Sequence, residues 1–480
     1  NPINKIIIFF LFISIFLLIY THYKSAFVYD SKRISFYVIY YIASSTGILF
    51  FSFILILNKT IKENIITSLI TFILLAYISE GILIFLNKKN PKIDDIQMEK
   101  ERRIKRANLI YKNYNIEVET KSSLEFKEHL DKQGVKVFLL VSPFRMLDTD
   151  GIKNFSWQDS SNQPKKIYPL SGKSHKLTLG GSETGKYIIY KSDRYGFNNS
   201  DDEWDKKIDI TVIGDSNVHS NHLPREYGYA GRLKKLTNKS VINLGIGNNG
   251  PLIELATLKE YAKKLKPKLV LWVYCEDNDL PELKKEIKSK ILSQYLKNGF
   301  SQNLIEKQSF IENNYDIFVE KRIKNRKSQV QSSAFSIEKN NNKYLSYIKL
   351  IEIRKILFND LINSWRNRIT KEDLLNFKKV LIEAKRVTDS FNGKFYFVYL
   401  PATTRYISDF DKTHLKKNDY YRDEVLKIAE DIDLTIIDLW KLHFQNLKDP
   451  LTTLNFRLHS HYNKETVEIL TKKIVQIIEK

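Results

Sequence analysis

The sequence predicts an α/β protein that follows a membrane-spanning region, and three observations support this fold class. The first 90 residues hold three long apolar runs. From residue 208 onward, short β-branched or aromatic runs alternate with helical stretches, which is typical of a parallel sheet covered by helices on both faces. Small and polar residues directly follow several of the predicted strands, at the sheet edge where α/β proteins bind ligands.

The three apolar runs cover residues 6–20, 35–57 and 65–86. The first can be extended to Tyr23, so that each run is near the ~20 residues that a helix needs to cross a bilayer. A signal peptide would account for the first run but not for the other two. We therefore expect a three-helix transmembrane region over residues 1–90 and a multi-pass membrane protein.

The net charge of +22 is spread along the chain and forms no basic stripe with interleaved aromatic residues, so nucleic acid is not an expected partner. Membrane lipid is an expected partner, because residues 88–106 are rich in Lys and Arg. The charges around the spans favour a cytoplasmic C-terminal domain, but large domains partly escape this rule, which leaves the side open. Glu80 lies inside the third run, where an ionisable group either has a function or reaches toward the interface. Cys275 is the only cysteine, which excludes an internal disulfide.

Beyond the spans, the sequence predicts two further parts. Residues 91–186 are a juxtamembrane linker and an irregular α/β lead-in, and residues 187–480 form the main domain with a helical insertion over 281–392. The insertion leaves the ligand-binding edge of the sheet, so it is either a lid or a solvated helical bulge without a gating role. The predicted strands cover 208–213, 240–244, 269–274, 395–400 and 434–438, and a closing helix covers 464–479.

Four segments near the strand ends carry candidate functional groups. Ser216 follows the first strand and is either a nucleophile or an ordinary helix N-cap. Residues 245–250 (GIGNNG) follow the second strand, where backbone N–H groups could approach a bound oxygen or simply form a turn. Asn278 follows the third strand and could donate its amide to an oxyanion or form an Asx turn. His461 precedes the last helix and is either a general base or a surface residue.

In this chain order the four segments resemble the SGNH hydrolase superfamily, also called GDSL-type esterases. The Gly-Asp-Ser that ends at Ser216 is similar to the first block of that family, and the 245–250 loop lies where the second block stands. Asn278 and the following Asp are similar to the third block, and the His-Tyr-Asn that begins at His461 is similar to the last. The resemblance extends from about residue 187 to the C-terminus and is closest to membrane-anchored bacterial members.

The resemblance implies a three-layer α/β/α flavodoxin-like domain with a parallel sheet. It also implies that Ser216 is the nucleophile and His461 the base. The implied oxyanion hole consists of the Ser216 N–H, a backbone N–H of Gly247 or Asn248, and the Asn278 amide. Three neighbours of these residues are expected to support them: Asp215, Asp279 and His459.

The chain departs from the family pattern at three places. Ser220 stands where the first block usually has a glycine, four residues after the serine. Asp277 stands where the third block usually has a glycine, which puts a negative charge beside the proposed oxyanion hole unless it points outward or is paired. The last block normally has an Asp two or three residues before its histidine, but those positions are His459 and Leu458.

The missing acid leaves the orientation of the His461 ring open. Asp438 or Asp449 could supply a carboxylate from a neighbouring loop. Otherwise Ser216 and His461 would act as a dyad, with a backbone carbonyl holding the ring.

The resemblance implies a membrane-anchored serine esterase that hydrolyses or transfers acyl groups, such as acetyl, on a carbohydrate or lipid-linked sugar through an acyl-enzyme. It implies no cofactor. One alternative is a catalytically silent membrane protein that keeps the fold to bind glycan or a partner, which Asp277 and the missing acid favour. A zinc site is a second alternative, but no nearby carboxylate is evident that would orient its ligands, so we expect no metal. Its ligands would be His219, His222, His459 and His461.

Overall fold

The computed structural model describes residues 2–28, 34–89, 95–147, 156–158, 164–335, 347, 350–354, 356–357, 368–407 and 421–480. The chain divides into two compact units. One comprises Asn1–Ile93 and Phe335–Arg368, and the other comprises Asp94–Ala334 and Ile369–Lys480.

The first unit contains three apolar helices. They are α1 (Pro2–His22, continued by the π-helical Tyr23–Val28), α2 (Ile34–Ile54) and α3 (Lys59–Lys89). Two stretches, Pro2–Phe27 and Lys59–Phe85, are long and apolar enough to cross a membrane, and most of their side chains are not buried in protein. Within the described residues, the apolar part of α2 is Tyr40–Ile54, which is shorter than the other two stretches. Within the described residues two helices, and not the expected three, are therefore long enough to span a membrane, because the apolar part of α2 falls short of the ~20 residues that a crossing needs.

Glu80 of α3 lies fully buried within this first unit. Its Oε1 accepts a hydrogen bond from the Glu352 N–H and its Oε2 accepts one from the Ile353 N–H, both at 2.9 Å. The Tyr347 hydroxyl also donates to the Tyr77 carbonyl, at 2.9 Å. Glu80 thus holds the start of a short helical segment and does not reach outward, because two backbone donors satisfy its carboxylate.

The second unit begins with a helical and β-rich lead-in. Helix α5 starts with a capping box, in which Ser122 accepts from the Glu125 N–H and Glu125 accepts from the Ser122 N–H. Strand β4 pairs in parallel with β1 and antiparallel with β5, and β2 pairs with β3. The elements are α4 (Asp95–Tyr114), α5 (Ser123–Lys132), β1 (Phe138–Leu139), β2 (Ser156–Gln158), β3 (Pro164–Lys166), β4 (Leu177–Leu179) and β5 (Ile189–Lys191).

The centre of the second unit is a five-stranded parallel sheet, so the predicted α/β fold class is confirmed. The strand order is β7-β6-β8-β9-β10, that is 2-1-3-4-5 along the chain, which is the order of flavodoxin-like doubly wound sheets. Strand β6 is buried along its whole length, as its β-branched sequence predicts. The strands are β6 (Ile210–Gly214), β7 (Val241–Asn243), β8 (Leu269–Cys275), β9 (Lys394–Leu400) and β10 (Thr435–Asp438).

Helices cover both faces of this sheet, because successive strand residues point to opposite sides. Val270 and Trp272 belong to the core on one face, whereas Leu271 and Val273 belong to the core on the other. The helices are α6 (Ser216–His219), α7 (Tyr229–Thr237), α8 (Pro251–Thr257, extended through Leu258–Ala262 and Lys263–Leu265), α9 (Asp279–Glu286), α10 (Gln308–Phe335), α11 (Lys371–Asp389), α12 (Arg422–Glu430), α13 (Leu439–Leu442) and α14 (Lys464–Ile478).

The predicted insertion over 281–392 contains helices that belong to the core. Leu283 of α9 and Phe377 of α11 are fully buried in the same core as the sheet. These ends of the insertion are therefore crossover helices of the α/β fold. Its central residues 336–346 and 358–367, where a lid would lie, are outside the described residues.

Candidate active site

Ser216 lies at the carboxyl end of β6, where the strand turns into α6. Gly214 makes this turn possible, since a Cβ there would lie 2.6 Å from a methyl of Val218 and 2.9 Å from the Val273 carbonyl oxygen. Asp215 is the helix N-cap and accepts a hydrogen bond from the Asn217 N–H at 2.8 Å. The cap is thus Asp215, and the Ser216 hydroxyl lies within hydrogen-bond distance of Asp215 Oδ2, at 3.2 Å, so that it can donate to this carboxylate or to another partner.

The structure brings Ser216 and His461 into direct contact. Ser216 Oγ lies 2.7 Å from His461 Nε2. The other ring nitrogen, Nδ1, lies 2.6 Å from Oε1 of Glu183, and Oε2 of Glu183 accepts the His461 backbone N–H at 2.7 Å. An ionised carboxylate can only accept hydrogen bonds, so Nδ1 carries a proton, and when the ring is neutral Nε2 accepts from the Ser216 hydroxyl.

Glu183 is the residue that the sequence reasoning missed. The two acids that it proposed are engaged elsewhere, because Asp438 forms an ion pair with Arg422 and Asp449 forms one with Arg457. Glu183 instead comes from the loop between β4 and β5, 278 residues before His461. The only signal in the sequence was one carboxylate among the small residues of a Gly-Gly-Ser-Glu-Thr-Gly turn.

The glycines of that turn place Glu183. Gly181 donates its N–H to the Asn221 carbonyl at 2.9 Å, and a Cβ on Gly180 would lie 2.1 Å from the same carbonyl oxygen. Gly185 adopts φ 99°, which favours glycine. The turn therefore lies directly against the chain that follows α6, and Glu183 reaches the His461 ring from there.

Burial and charge act in opposite directions on the pair of Glu183 and His461. Burial lowers the pKa of His461, but the charge and hydrogen bond of Glu183 outweigh it and raise that pKa to about 9. Burial likewise raises the pKa of Glu183, and the charge and hydrogen bonds of His461 outweigh it and hold that pKa well below its usual value. The pair therefore strongly favours an imidazolium beside a carboxylate.

The two histidines that follow Ser216 most closely, His219 and His222, are buried and neutral. The His222 ring stacks on the His461 ring, with centroids 4.5 Å apart and 15° between the planes. Burial is the main cause that lowers the pKa of His222 to about 4 and the pKa of His219 to about 3. His219 contacts the Tyr190 hydroxyl through Nε2 at 2.8 Å. Within the described residues, no group of three or more His, Cys, Asp or Glu side chains is arranged to hold a metal ion.

The glycine-rich loop after β7 passes next to Ser216. A Cβ on Gly247 would lie 3.6 Å from the Ser216 Cβ. The Gly247 N–H donates to His219 Nδ1 at 3.3 Å, and Asn248 adopts φ 64°. The hydrogen bond to His219 occupies the Gly247 N–H, which favours the Asn248 N–H as the backbone donor of this loop.

Asn278 and Asp277 point to different partners at the end of β8. Asn278 Nδ2 donates to Glu282 Oε2 at 2.7 Å, which leaves the second hydrogen of the amide for another acceptor. The Asp277 carboxylate accepts from the Thr403 N–H at 2.7 Å and from the hydroxyls of Thr403 and Thr404. The Asp277 carboxylate is thus held by hydrogen bonds from the turn after β9, and it keeps its negative charge.

Helix α9 holds both of these loops through two buried glutamates. Glu282 orients Asn278, and Glu286 accepts the N–H groups of Gly250 at 2.7 Å and Leu252 at 2.9 Å. A Cβ on Gly250 would lie 2.7 Å from the Glu282 Cβ, so the two loops and the helix are in close contact. One helix therefore fixes both proposed sources of oxyanion donors.

Asp279 and His459, the two remaining residues expected to support the site, form hydrogen bonds that hold the backbone near it. Asp279 is fully buried and accepts the Cys275 N–H at 2.9 Å, which closes the turn between β8 and α9. The His459 carbonyl accepts a hydrogen bond from Arg106 of α4 at 3.1 Å. Helix α4 of the lead-in thus supports the loop that carries His461.

Comparisons with known proteins give little further information. No family model matches the chain, and no curated protein matches it. One similar solved structure is the psychrotrophic esterase EstA from Pseudoalteromonas sp., inhibited by monoethylphosphonate, with 11% identity over 56% of this chain and 96% of that chain and a TM-score of 0.28. The proposed function therefore rests on the geometry of the site, the resemblance of its four segments and the apolar helices, and not on this structural similarity.

Proposed function

We propose that this protein is a membrane-anchored serine esterase or O-acyltransferase of the SGNH type, with Ser216, His461 and Glu183 as its catalytic triad. The observation that carries the proposal is the continuous chain of hydrogen bonds from Ser216 Oγ through the His461 ring to Glu183, at 2.7 and 2.6 Å. These distances lie within the range for a nucleophile, its base and the acid that orients the base.

The reaction would proceed in two steps. Ser216 Oγ attacks the ester carbonyl carbon while its proton passes to His461 Nε2, and Glu183 stabilises the resulting imidazolium. The tetrahedral oxyanion would accept hydrogen bonds from the Ser216 N–H, the Asn248 or Gly247 N–H, and the Asn278 amide. His461 then donates the proton to the leaving oxygen as the carbon–oxygen bond breaks. Water, or a sugar hydroxyl, releases the acyl group from Ser216 by the reverse sequence.

Two observations support the enzyme over a catalytically silent protein with the same fold. The features that favoured the silent alternative were the charge of Asp277 and the missing acid near His461. The Asp277 carboxylate accepts hydrogen bonds from Thr403 and Thr404, which hold it in the turn after β9, and Glu183 occupies the place behind the His461 ring. The missing acid therefore no longer weighs against catalysis.

The proposed substrate is an acylated carbohydrate or lipid-linked sugar, and the proposed location is the membrane, with the chain crossing it more than once. The substrate class follows from the resemblance of the four segments around Ser216, Asn278 and His461. The location follows from the two membrane-length helices together with the shorter apolar part of α2. A substrate linked to lipid would be held near such an anchor.

A fluorophosphonate probe tests the proposal, because it labels a serine only when that serine is activated as a nucleophile. We expect stoichiometric labelling of the full chain in detergent, loss of labelling in Ser216→Ala, and normal labelling in the control Ser200→Ala. Failure of the folded protein to react, or equal labelling of both variants, would reject the enzyme. Release of free acid, compared with acyl transfer to an added sugar alcohol, then separates the esterase from the transferase.

A further inference from the structure

The middle of the insertion belongs to the first unit and not to the α/β domain that it interrupts. The chain leaves the second unit after Ala334 and re-enters it at Ile369. Residues 347, 350–354 and 356–357 of this stretch, which the structure describes, are here called the docked segment. The chain therefore passes between the two units three times, at 93–94, 334–335 and 368–369.

Glu80 binds the docked segment from inside the apolar part of α3. It is the only charged residue between Glu63 and Lys88, and Lys88 lies eight residues further on, about 12 Å along the helix axis. The Glu80 carboxylate is fully buried and accepts the N–H groups of Glu352 and Ile353, both at 2.9 Å. An ionisable group within a membrane is costly unless it is paired, and backbone N–H groups there are costly without an acceptor. Each side of this contact therefore removes the cost of the other.

Tyrosine side chains hold the docked segment against both α3 and α2. The Tyr347 ring lies 5.5 Å from the Tyr77 ring, measured between centroids, and its hydroxyl donates to the Tyr77 carbonyl at 2.9 Å. A Cβ on Gly81 would lie 3.7 Å from Tyr347 Cε2, so the ring packs on the surface of α3 at this glycine. Arg354 donates to the Tyr40 hydroxyl of α2 at 3.3 Å. The segment thus contacts the apolar stretches of two helices.

The docked segment also presents large apolar side chains outward. Ile356 and Leu357 are 67% and 63% exposed, and they follow Ile353 by about one helical turn. Ile82 and Phe85, near the same end of α3, are exposed to a similar degree, at 54% and 57%. Such side chains are unfavourable in water and favourable in hydrocarbon. The segment therefore extends the apolar surface that α3 presents.

The composition of residues 347–357 (YIKLIEIRKIL) agrees with this position. Seven of the eleven residues are apolar or aromatic, and the others are three basic residues and one acid. Apolar residues combined with Lys and Arg are typical of helices that lie in the interface of a membrane, because the basic side chains reach the headgroups.

We propose that the docked segment is a second membrane-binding element of this protein, which lies beside α3 with Ile356 and Leu357 in contact with lipid acyl chains. This inference rests on the proposed membrane location. Lipid is the occupant of the exposed apolar face, because the contact with Glu80 fixes the segment beside the apolar part of α3. The insertion of the second unit is then itself bound to the bilayer, in addition to the connection through α3.

Fluorescence quenching by lipid tests this contact. The full chain is reconstituted in phosphatidylcholine vesicles that contain lipid with a nitroxide on its acyl chain, and an NBD fluorophore is attached to one introduced cysteine. The natural Cys275 is buried, and the unsubstituted protein gives its background labelling. For Ile356→Cys and Leu357→Cys we expect the lipid nitroxide to reduce emission about twofold or more, as for Phe72→Cys within α3, and iodide in the water to have little effect. Ile382→Cys is the matched control on α11 of the second unit, where Ile382 is 47% exposed, and it should respond to iodide and not to the lipid.

Removal of the Glu80 carboxylate tests the docking itself. In the Ile356→Cys protein, Glu80→Ala should reduce quenching by the lipid nitroxide at least about twofold, because two backbone N–H groups lose their acceptor. Glu63→Ala is the matched control on the same helix, since Glu63 forms an exposed ion pair with Lys59 at 3.8 Å, and it should leave the quenching unchanged. Tyr347→Ala removes a docking contact without altering α3, and it serves if Glu80→Ala does not insert into vesicles.

The possible outcomes separate this inference from the proposed location. If the lipid nitroxide does not quench Phe72→Cys, the proposed membrane location itself fails. If Phe72→Cys is quenched but the labels at 356 and 357 respond to iodide, or to neither quencher as at an interface with a second copy, the inference is overturned and the spans remain. Lipid quenching at 356 that neither Glu80→Ala nor Tyr347→Ala reduces would also overturn it, because lipid contact would then not depend on docking against α3.

Discussion

The nucleophile and the acid of the proposed triad come from different parts of the second unit. They differ in how the sequence determines their positions. Ser216 lies at the carboxyl edge of the parallel sheet, where topology alone brings together the ends of neighbouring strands. Glu183 lies outside that sheet, on a glycine-rich turn of the small β1-β4-β5 sheet. The nucleophile is thus part of the fold's architecture, whereas the acid is brought to His461 by a contact between two separate sheets. The variants below test this difference, beginning with the acid.

Glu183→Gln should cause the largest loss among the variants that keep the nucleophile, about 10³- to 10⁴-fold in kcat. The Gln amide can donate to His461 Nδ1, which would place the ring proton on Nε2 and remove the acceptor for the Ser216 hydroxyl. Steady-state kinetics on a p-nitrophenyl ester measures the effect. Asp449→Asn is the control, because Asp449 was one of the two acids proposed from the sequence and it pairs with Arg457 at the surface. Comparable losses in the two variants would contradict the assigned role of Glu183.

Asn278→Ala should lower kcat by about 10²- to 10³-fold with little change in KM, because an oxyanion donor acts mainly in the transition state. Ser216 should still react with a fluorophosphonate, though more slowly. Asn314→Ala is a suitable control, since the Asn314 amide donates to the Phe310 carbonyl at 3.0 Å within α10, away from Ser216 in the chain. If KM rises and kcat stays constant, Asn278 contributes to substrate binding and not to the oxyanion hole.

Glu282→Ala should reduce kcat by roughly tenfold, because Asn278 would lose the acceptor that fixes its amide. Glu282→Gln should restore most of the activity, since its side-chain carbonyl can accept the same hydrogen bond. The comparison of kcat for the two variants, at equal thermal stability, separates a positioning role from general destabilisation. A Gln variant as impaired as the Ala variant would show that the charge of Glu282, and not its acceptor oxygen, is what the site requires.

The same comparison explains how far the sequence could predict the site. The β-branched strand before Ser216 and the polar turn at Asn278 were recognisable because both follow buried strands of one parallel sheet, and the sheet order then places them at one edge. The acid was not recognisable, because no spacing rule relates Glu183 to a histidine 278 residues later. The direction of the Asp277 side chain could not be predicted either, because it depends on a hydrogen bond from Thr403, which follows a different strand. Local sequence pattern thus predicts the site residues that the parallel sheet positions. It does not predict the residues whose positions depend on a contact between segments far apart in the chain.

The pH dependence of kcat/KM should be the smallest of these effects and the most specific for the pair of Glu183 and His461. His461 must be neutral to accept the serine proton, and Glu183 raises its pKa to about 9 from the usual 6.5. About a quarter of each side chain is exposed, so water screens the pair and we expect the acidic limb of kcat/KM between about 7 and 9. In Glu183→Gln the residual activity should have its limb at a clearly lower pH than in wild type, because the carboxylate that stabilises the imidazolium is gone while burial, which lowers the pKa of His461, remains.

The pKa shifts of His461 and Glu183 should also make the stability of the folded state depend on pH. A raised pKa of His461 stabilises the folded state below pH 6.5, and this contribution is lost as the pH rises through about 9. A lowered pKa of Glu183 stabilises it above pH 4.5, and this contribution is lost as the pH falls through the folded-state pKa. The difference in Tm between wild type and Glu183→Gln should therefore be greatest between about pH 4.5 and 6.5 and should shrink toward pH 9. A constant difference across this range would mean that Glu183 acts only through packing, and then the pH limb of the activity should not move either.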